Sequence, residues 1–61
     1  MSFKSARKKA GLSQASAAKE LGISDAAICL WEQGKTMPRA AMLTRIAELY
    51  GCTVDDLLKA D

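Results

Sequence analysis

Few residues in this sequence could carry covalent or metal chemistry, and none of them has an evident partner. The 61 residues include two cysteines, Cys29 and Cys52, and no histidine, so two thiolates alone cannot complete a four-ligand zinc site. No serine or cysteine has an evident general base, and no glycine-rich phosphate loop is present. We therefore expect no enzyme, cofactor, metal site or small-molecule substrate, and we interpret both cysteines as small packed thiols.

The composition favours a small helical domain. Hydrophobic residues make up 49% of the chain, and they include eleven alanines but only one valine and three isoleucines. Alanine is the best helix former, whereas β-branched residues favour strands. No apolar stretch is long enough to span a membrane, and the N-terminus lacks the apolar segment of a signal peptide. The sequence predicts one all-α domain over residues 1–61, located in the cytoplasm.

Glycines divide the chain into five short helical segments. Each follows a helical pattern of apolar residues, as glycines at helix C-termini do; they are Gly11, Gly22, Gly34 and Gly51. The first segment covers about residues 2–10, and the N-caps Ser13 and Ser24 open the second and third. Pro38 is expected at the first position of the fourth helix. Thr53 opens the fifth with a run that resembles a capping box.

Apolar positions at helical spacing predict one inward stripe for each segment. The expected inward residues are Phe3, Ala6 and Ala10, then Ala17, Ala18 and Leu21, then Ile28 and Trp31, then Leu43, Ile46, Ala47 and Tyr50, and finally Leu57 and Leu58. Ordering the backbone of so short a chain offsets most of the free energy gained by burying these side chains. We therefore expect a fold of marginal stability.

The most informative spacing lies in residues 14–33. The second and third segments are joined by only three residues, which is too short for the two helices to pack antiparallel. Ala18 is small enough for a close helix crossing, and Gly22 permits a sharp turn with positive φ. Ile23 would fill the angle between the helices, while Ile28 and Trp31 anchor the second of them. This pattern is typical of a helix-turn-helix.

Further motifs along the chain have the same relative positions as in a known family. They are Arg7, Gly11-Leu12-Ser13-Gln14, Ala18, Leu21-Gly22-Ile23-Ser24, Ile28, Trp31-Glu32-Gln33-Gly34, Pro38, Leu43, Ile46-Ala47, Leu49, Gly51, Val54 and Leu57-Leu58. With these residues the chain resembles the phage-repressor (Cro/CI, Xre) helix-turn-helix family over nearly its whole length. The resemblance implies a five-helix, lambda-repressor-like fold. It also implies sequence-specific binding to double-stranded DNA, usually by a homodimer that represses or switches transcription.

The resemblance also implies roles for polar residues around the helix-turn-helix. Phosphate contacts are expected from the start of the second helix and from the segment after the third, at Gln14, Gln33, Lys35 and Arg39. The amides at the N-terminus of the second helix would assist, because a helix N-terminus attracts anions. Arg7 and Glu32 match a partly buried ion pair that ties the first helix to the end of the third.

The third helix is expected to enter the major groove of DNA. Its candidate base-reading residues are Asp25, Ala26, Ala27 and Leu30, with Cys29 also facing outward. Arginine, lysine, asparagine and glutamine are missing until Gln33, so the common bidentate pairs to guanine or adenine are not available. Asp25 could accept a hydrogen bond from cytosine, or only support the helix through its dipole. The apolar residues could meet thymine methyl groups.

The charge distribution favours a nucleic-acid partner. Residues 1–19 carry five basic side chains and no acid, for +5, whereas residues 50–61 carry three aspartates and one lysine, for −2. An ordinary solvated face is the alternative for Lys8 and Lys9. The apolar face of the third helix favours a second function, that of a helical protein-interaction module such as an antitoxin-like partner or an adaptor.

A weak homodimer is expected from the same resemblance. Family members use the loop before the last helix and that helix, which gives Tyr50, Cys52, Val54, Asp56 and Leu57 as candidate dimer contacts. Asp56 stands where relatives often carry an apolar or aromatic residue, which weakens the interface. We expect no effector domain, and therefore regulation by concentration or by another protein.

Overall fold

The computed structural model of the protein describes residues 2–59, and all regular secondary structure in that range is α-helical. The helices are α1 (Phe3–Lys9), α2 (Gln14–Leu21), α3 (Asp25–Glu32), α4 (Ala40–Tyr50) and α5 (Val54–Leu58). The predicted all-α fold with five helices is confirmed. The ends of the predicted domain, at residues 1 and 61, lie outside the described residues.

Side-chain caps begin four of these helices. Ser13 and Ser24 each accept a hydrogen bond from the backbone N–H three residues later, at 3.0 and 3.3 Å. Thr53 and Asp56 form the predicted capping box, with N–H to side-chain distances of 3.1 and 3.2 Å. A second capping box, which was not predicted from the sequence, begins α1 at Ser2. The caps fix where each helix starts, because they satisfy N–H groups that have no partner within the helix.

A three-residue turn joins α2 to α3 and forms the helix-turn-helix. Gly22 ends α2 in the left-handed conformation, with φ of 70°, which L side chains rarely adopt. The next residue, Ile23, donates its backbone N–H to the carbonyl oxygen of Ala18 at 3.0 Å. Ile23 is half-buried against the core, while Ala18 is fully buried. The predicted geometry of the turn is therefore confirmed.

The core lies where all five helices meet. Ile28 of α3 and Ile46 of α4 are its largest fully buried side chains, at 1% and 0% exposure. The rings of Phe3 and Trp31 pack at a centroid distance of 6.4 Å and tie α1 to α3. The buried apolar residues are Phe3, Ala6, Ala17, Ala18, Leu21, Ile28, Ile46, Ala47, Tyr50 and Leu57. No helix among residues 2–59 combines the length and the hydropathy needed to cross a membrane.

Three sequence predictions about the core and the helix limits are wrong. Pro38 does not begin α4: it lies buried in the preceding segment, and the helix starts two residues later with Arg39 as its N-cap. Leu58 is 53% exposed, because the short helix α5 turns Leu57, and not Leu58, toward the core. Ala10 is exposed, since α1 ends at Lys9 and Ala10 is its C-cap.

Candidate nucleic-acid interface

One face of α3, the second helix of the helix-turn-helix, is exposed to solvent. Burial of Ile28 against the core sets the rotation of the helix about its axis. The opposite side therefore turns to solvent, with Asp25 and Ala26 exposed and Leu30 at 38% exposure. Ala27, also predicted to read bases, is half-buried at the margin of this face. A helix about 10–12 Å across fits the major groove of DNA.

A buried hydrogen-bond network holds the end of α3 against α1 and α2. Arg7 donates from Nε to Glu32 Oε2 at 2.6 Å and from Nη2 to Glu32 Oε1 at 3.2 Å. The third donor of the guanidinium, Nη1, reaches the carbonyl oxygen of Leu12 at 2.8 Å. Gln14 donates its side-chain amide to Glu32 Oε1 at 3.1 Å. The network thus joins α1, α2 and α3 at one point, and the side chains of Arg7 and Glu32 are almost fully buried.

The charged network sets the protonation of its members. Burial of Glu32 disfavours its charged form. This effect is outweighed by hydrogen bonds from Arg7 and Gln14 and by the positive charges of Arg7 and Lys4. The pKa of Glu32 is therefore lowered below 4.5. The hydrogen bond to Glu32 raises the pKa of Arg7 further. Burial, together with the charge of Glu32, raises the pKa of Tyr50 to about 12. The ion pair therefore stays ionised at neutral pH.

The two glutamines expected at phosphates are both held by neighbouring side chains. Gln14, half-buried at the first position of α2, uses one amide hydrogen on Glu32 and keeps the second. Gln33, exposed at the C-cap of α3, donates from Nε2 to the Cys29 sulfur at 3.1 Å. Each amide retains a donor and its carbonyl oxygen for a further partner. Both lie at the borders of the exposed face of α3, one at the start of α2 and one directly after α3.

Two further candidate phosphate contacts occupy the segment between α3 and α4. Lys35 and Arg39 are exposed, and Arg39 is the N-cap of α4 without a side-chain capping bond. Within residues 2–59, neither cation pairs with a carboxylate. Positive charge therefore borders the apolar face of α3 on the side of its C-terminus.

Comparison with known proteins identifies the family. The model of the helix-turn-helix family matches residues 3–57. The chain belongs to the phage-repressor-like helix-turn-helix family. It is 38% identical over 55 residues to a protein named "Repressor protein C2" from Salmonella phage P22, and this match covers 90% of the chain and 26% of that relative. The chain thus spans about a quarter of the length of the curated relative. No solved structure matches the chain.

The residues expected at a dimer contact of this helix-turn-helix protein differ widely in exposure. Tyr50 and Leu57 are 6% and 2% exposed, because both pack into the core of the single chain. Their side chains have almost no surface left for a second chain. Cys52, Val54 and Asp56 are half-buried, and the Asp56 carboxylate is already used in the capping box of α5.

The groups that could bind a metal or react as nucleophiles are dispersed in the structure. Cys29 and Cys52 are both free thiols. Burial and the nearby charge of Asp56 raise the pKa of the Cys52 thiol. Among the described residues there is no cluster of three potential metal ligands and no pocket.

Two hydrogen bonds of this interface were not predicted from the sequence, for different reasons. The bond from Gln14 to Glu32 joins residues that are eighteen positions apart, and no local pattern predicts it. The bond from Gln33 to Cys29 joins residues four positions apart, which face each other on a helix, so this spacing could have predicted it.

Proposed function

We propose that this chain is a DNA-binding transcriptional regulator, acting as a repressor, that places α3 in the major groove of an operator. The observation that carries the proposal is the exposed face of α3, presented by a helix-turn-helix in a chain 38% identical to a phage repressor over 90% of its length. The short turn at Gly22 and the Arg7–Glu32 pair hold α3 at its two ends. Such a fixed helix loses little conformational entropy when it docks.

Readout of bases by this helix relies on apolar contacts. Ala26 and Leu30 are exposed and Ala27 is half-buried, and such side chains recognise the methyl group of thymine in the major groove. Asp25 in the first turn accepts a hydrogen bond from the amino group of cytosine. Repulsion between the negative charge of Asp25 and nearby phosphates favours an orientation of this side chain toward the bases.

Phosphate contacts fix the register of the helix on the duplex. Gln14 and the first amides of α2 hold one phosphate, because a helix N-terminus favours negative charge. The segment after α3 holds the others through Gln33, Lys35 and Arg39. Such contacts provide affinity without reading sequence, so the selectivity of binding depends on the short face of α3.

Dimerisation is proposed as weak and coupled to DNA binding. Leu58 leaves an apolar surface on α5, at 53% exposure, while Cys52, Val54 and Asp56 are half-buried. A surface this small favours association only when two half-sites, about 34 Å apart, hold both copies together.

A protein-interaction module is the second candidate function. Leu30 on α3 and Met37 after it are 38% and 58% exposed, and exposed apolar side chains mark protein contacts as well as DNA contacts. In that case α3 binds a protein partner and the chain has negligible affinity for DNA.

A fluorescence-anisotropy titration separates these functions. The protein is titrated into a duplex carrying its own upstream region and into a scrambled duplex of equal length, each at two salt concentrations. Selective binding, with a salt slope of about −0.9 per phosphate contacted, supports a regulator that reads its own promoter. Equal, weak and strongly salt-dependent binding to both duplexes contradicts sequence readout. The absence of binding to either favours the protein partner.

A second duplex tests how bases are read. Replacing thymine by uracil in the upstream duplex removes only methyl groups. We expect weaker binding to the uracil duplex and an unchanged salt slope, because the phosphates remain the same. Equal affinity for both duplexes contradicts readout through Ala26, Ala27 and Leu30.

A further inference from the structure

Helix α1 carries three exposed lysines that take part in none of the hydrogen bonds described above. Successive residues of an α-helix are rotated by about 100°. Lys4 and Lys8 are four positions apart and therefore share one face, beside Arg7. Lys9 lies about 160° around the helix from Arg7, so it faces away from the Arg7–Glu32 pair. All three side chains are exposed, and Lys4 and Lys8 lie only about 40° apart around the helix.

The position of Lys4 relative to α3 has independent support. Its positive charge is close enough to Glu32 to help lower the pKa of that carboxyl. Glu32 in turn accepts a hydrogen bond from Gln14 at 3.1 Å. Lys4 therefore lies on the side of α1 near Glu32, to which Gln14 at the start of α2 is bound, and a phosphate contact is proposed at that start.

The positive charge on this face is not neutralised within the described chain. Arg7 and Glu32 neutralise each other, and neither Lys4 nor Lys8 forms an ion pair in residues 2–59. Lys4 also lies in the first turn of α1, which contains no acidic residue. A cation there is disfavoured by the helix dipole, while the same charge favours the ionised form of Glu32.

We propose that Lys4 and Lys8 contact phosphates of the DNA backbone that flank the segment read by α3. The positive charge of this face and its position near Gln14 both favour DNA phosphates as its partner. The contact extends the interface from α2 and α3 onto α1, and Lys9 takes no part in it. This inference rests on the proposed DNA-binding function and assigns to α1 a share of the affinity that is independent of sequence.

The test compares three variants of equal net charge, Lys4→Gln, Lys8→Gln and Lys9→Gln. Because phosphate contacts do not depend on sequence, each variant is titrated into both the upstream and the scrambled duplex over a range of salt concentrations. We expect Lys4→Gln and Lys8→Gln each to reduce the steepness of the salt slope by about 0.9 on both duplexes. Lys9→Gln, the matched control on the same helix, leaves the slope unchanged.

The outcomes distinguish the inference from the function on which it rests. If all three variants change the slope equally, only general electrostatic attraction operates and the α1 contact is refuted. If none changes it while the unmodified protein binds the upstream duplex selectively, the inference fails and the proposed function stands. If the unmodified protein binds neither duplex, both fail. Thermal melting of each variant checks that the helix remains folded.

Discussion

Removing Arg7 is predicted to destabilise the fold far more than removing its exposed neighbour Lys8. The side chains of Arg7 and Glu32 are only 8% and 6% exposed, and two hydrogen bonds of 2.6 and 3.2 Å connect them. In Arg7→Ala the carboxylate stays buried with a single remaining donor, from Gln14. The Leu12 carbonyl oxygen also loses the bond that Arg7 donates at 2.8 Å.

The magnitude follows from the cost of a buried charge without its partner. Breaking a buried ion pair on one side costs about 3–5 kcal/mol. For a domain of this size, a loss of about 3 kcal/mol lowers Tm by roughly 12–24 °C. Lys8→Ala removes an exposed side chain of the same helix and changes the free energy of unfolding by about 0.5 kcal/mol or less. Thermal melting followed by circular dichroism measures both.

A double variant tests whether the stranded charge is the cause. Arg7→Met leaves Glu32 buried without its cation, whereas Arg7→Met combined with Glu32→Met removes both charges. Because apolar side chains of similar volume replace a buried ion pair at little cost, the double variant is predicted to be more stable than Arg7→Met alone. Equal Tm values for Arg7→Ala and Lys8→Ala would refute the reasoning. A double variant with a lower free energy of unfolding than Arg7→Met alone would refute it as well.

Three further predictions concern acid, alkali and the core. The pKa of Glu32 is lowered below 4.5 on folding. Its stabilising contribution is therefore complete above pH 4.5 and is lost as pH falls through the lowered pKa. The urea midpoint of the unmodified protein should fall in acid, and that of Glu32→Gln should fall less. The pKa of Tyr50 is raised to about 12, so ultraviolet absorbance should show this single tyrosine ionising near that pH when folded and near 10 when unfolded; a folded midpoint near 10 contradicts its burial. Leu57→Ala should cost about 2–5 kcal/mol and Leu58→Ala about 0.5 kcal/mol or less, as measured in urea, and equal costs contradict the orientation of α5.

The local rules of helix capping predict much of this fold. Ser13, Ser24 and Thr53 begin their helices where the sequence indicates, because each hydroxyl satisfies backbone N–H groups within three residues. Gly22 ends α2 for an equally local reason, its left-handed φ of 70°. The helix-turn-helix depends on these short-range preferences and on small residues at the crossing, and the sequence shows both.

The wrong predictions depend on packing, which a local pattern does not contain. Proline suits the first position of a helix, but its fixed φ also suits an extended segment, and burial of the Pro38 ring places it before α4. Leu57 and Leu58 are adjacent and about 100° apart on α5, so a helix of five residues turns only one of them inward. The sequence does not indicate which leucine is buried, because this depends on how α5 lies against the other helices.

The candidate site was predictable in part. The resemblance pairs Arg7 with Glu32, and the structure contains that bidentate pair. The third member of the network, Gln14, was expected at a phosphate, and its bond to Glu32 follows only from the way α2 meets the end of α3. The expected dimer residues also differ in exposure. Tyr50 and Leu57 are buried in the core of the single chain, whereas Cys52, Val54 and Asp56 are half-buried.

The central claim, that α3 is the surface that reads DNA, is tested most directly by adding one negative charge to it. Leu30→Glu places a carboxylate on the exposed face of α3, and Thr44→Glu adds the same charge at an exposed position of α4. Both are titrated into the fluorescent upstream duplex beside the unmodified protein. We predict that Leu30→Glu abolishes selective binding while Thr44→Glu leaves it nearly unchanged. Equal affinity of the two folded variants would contradict the claim.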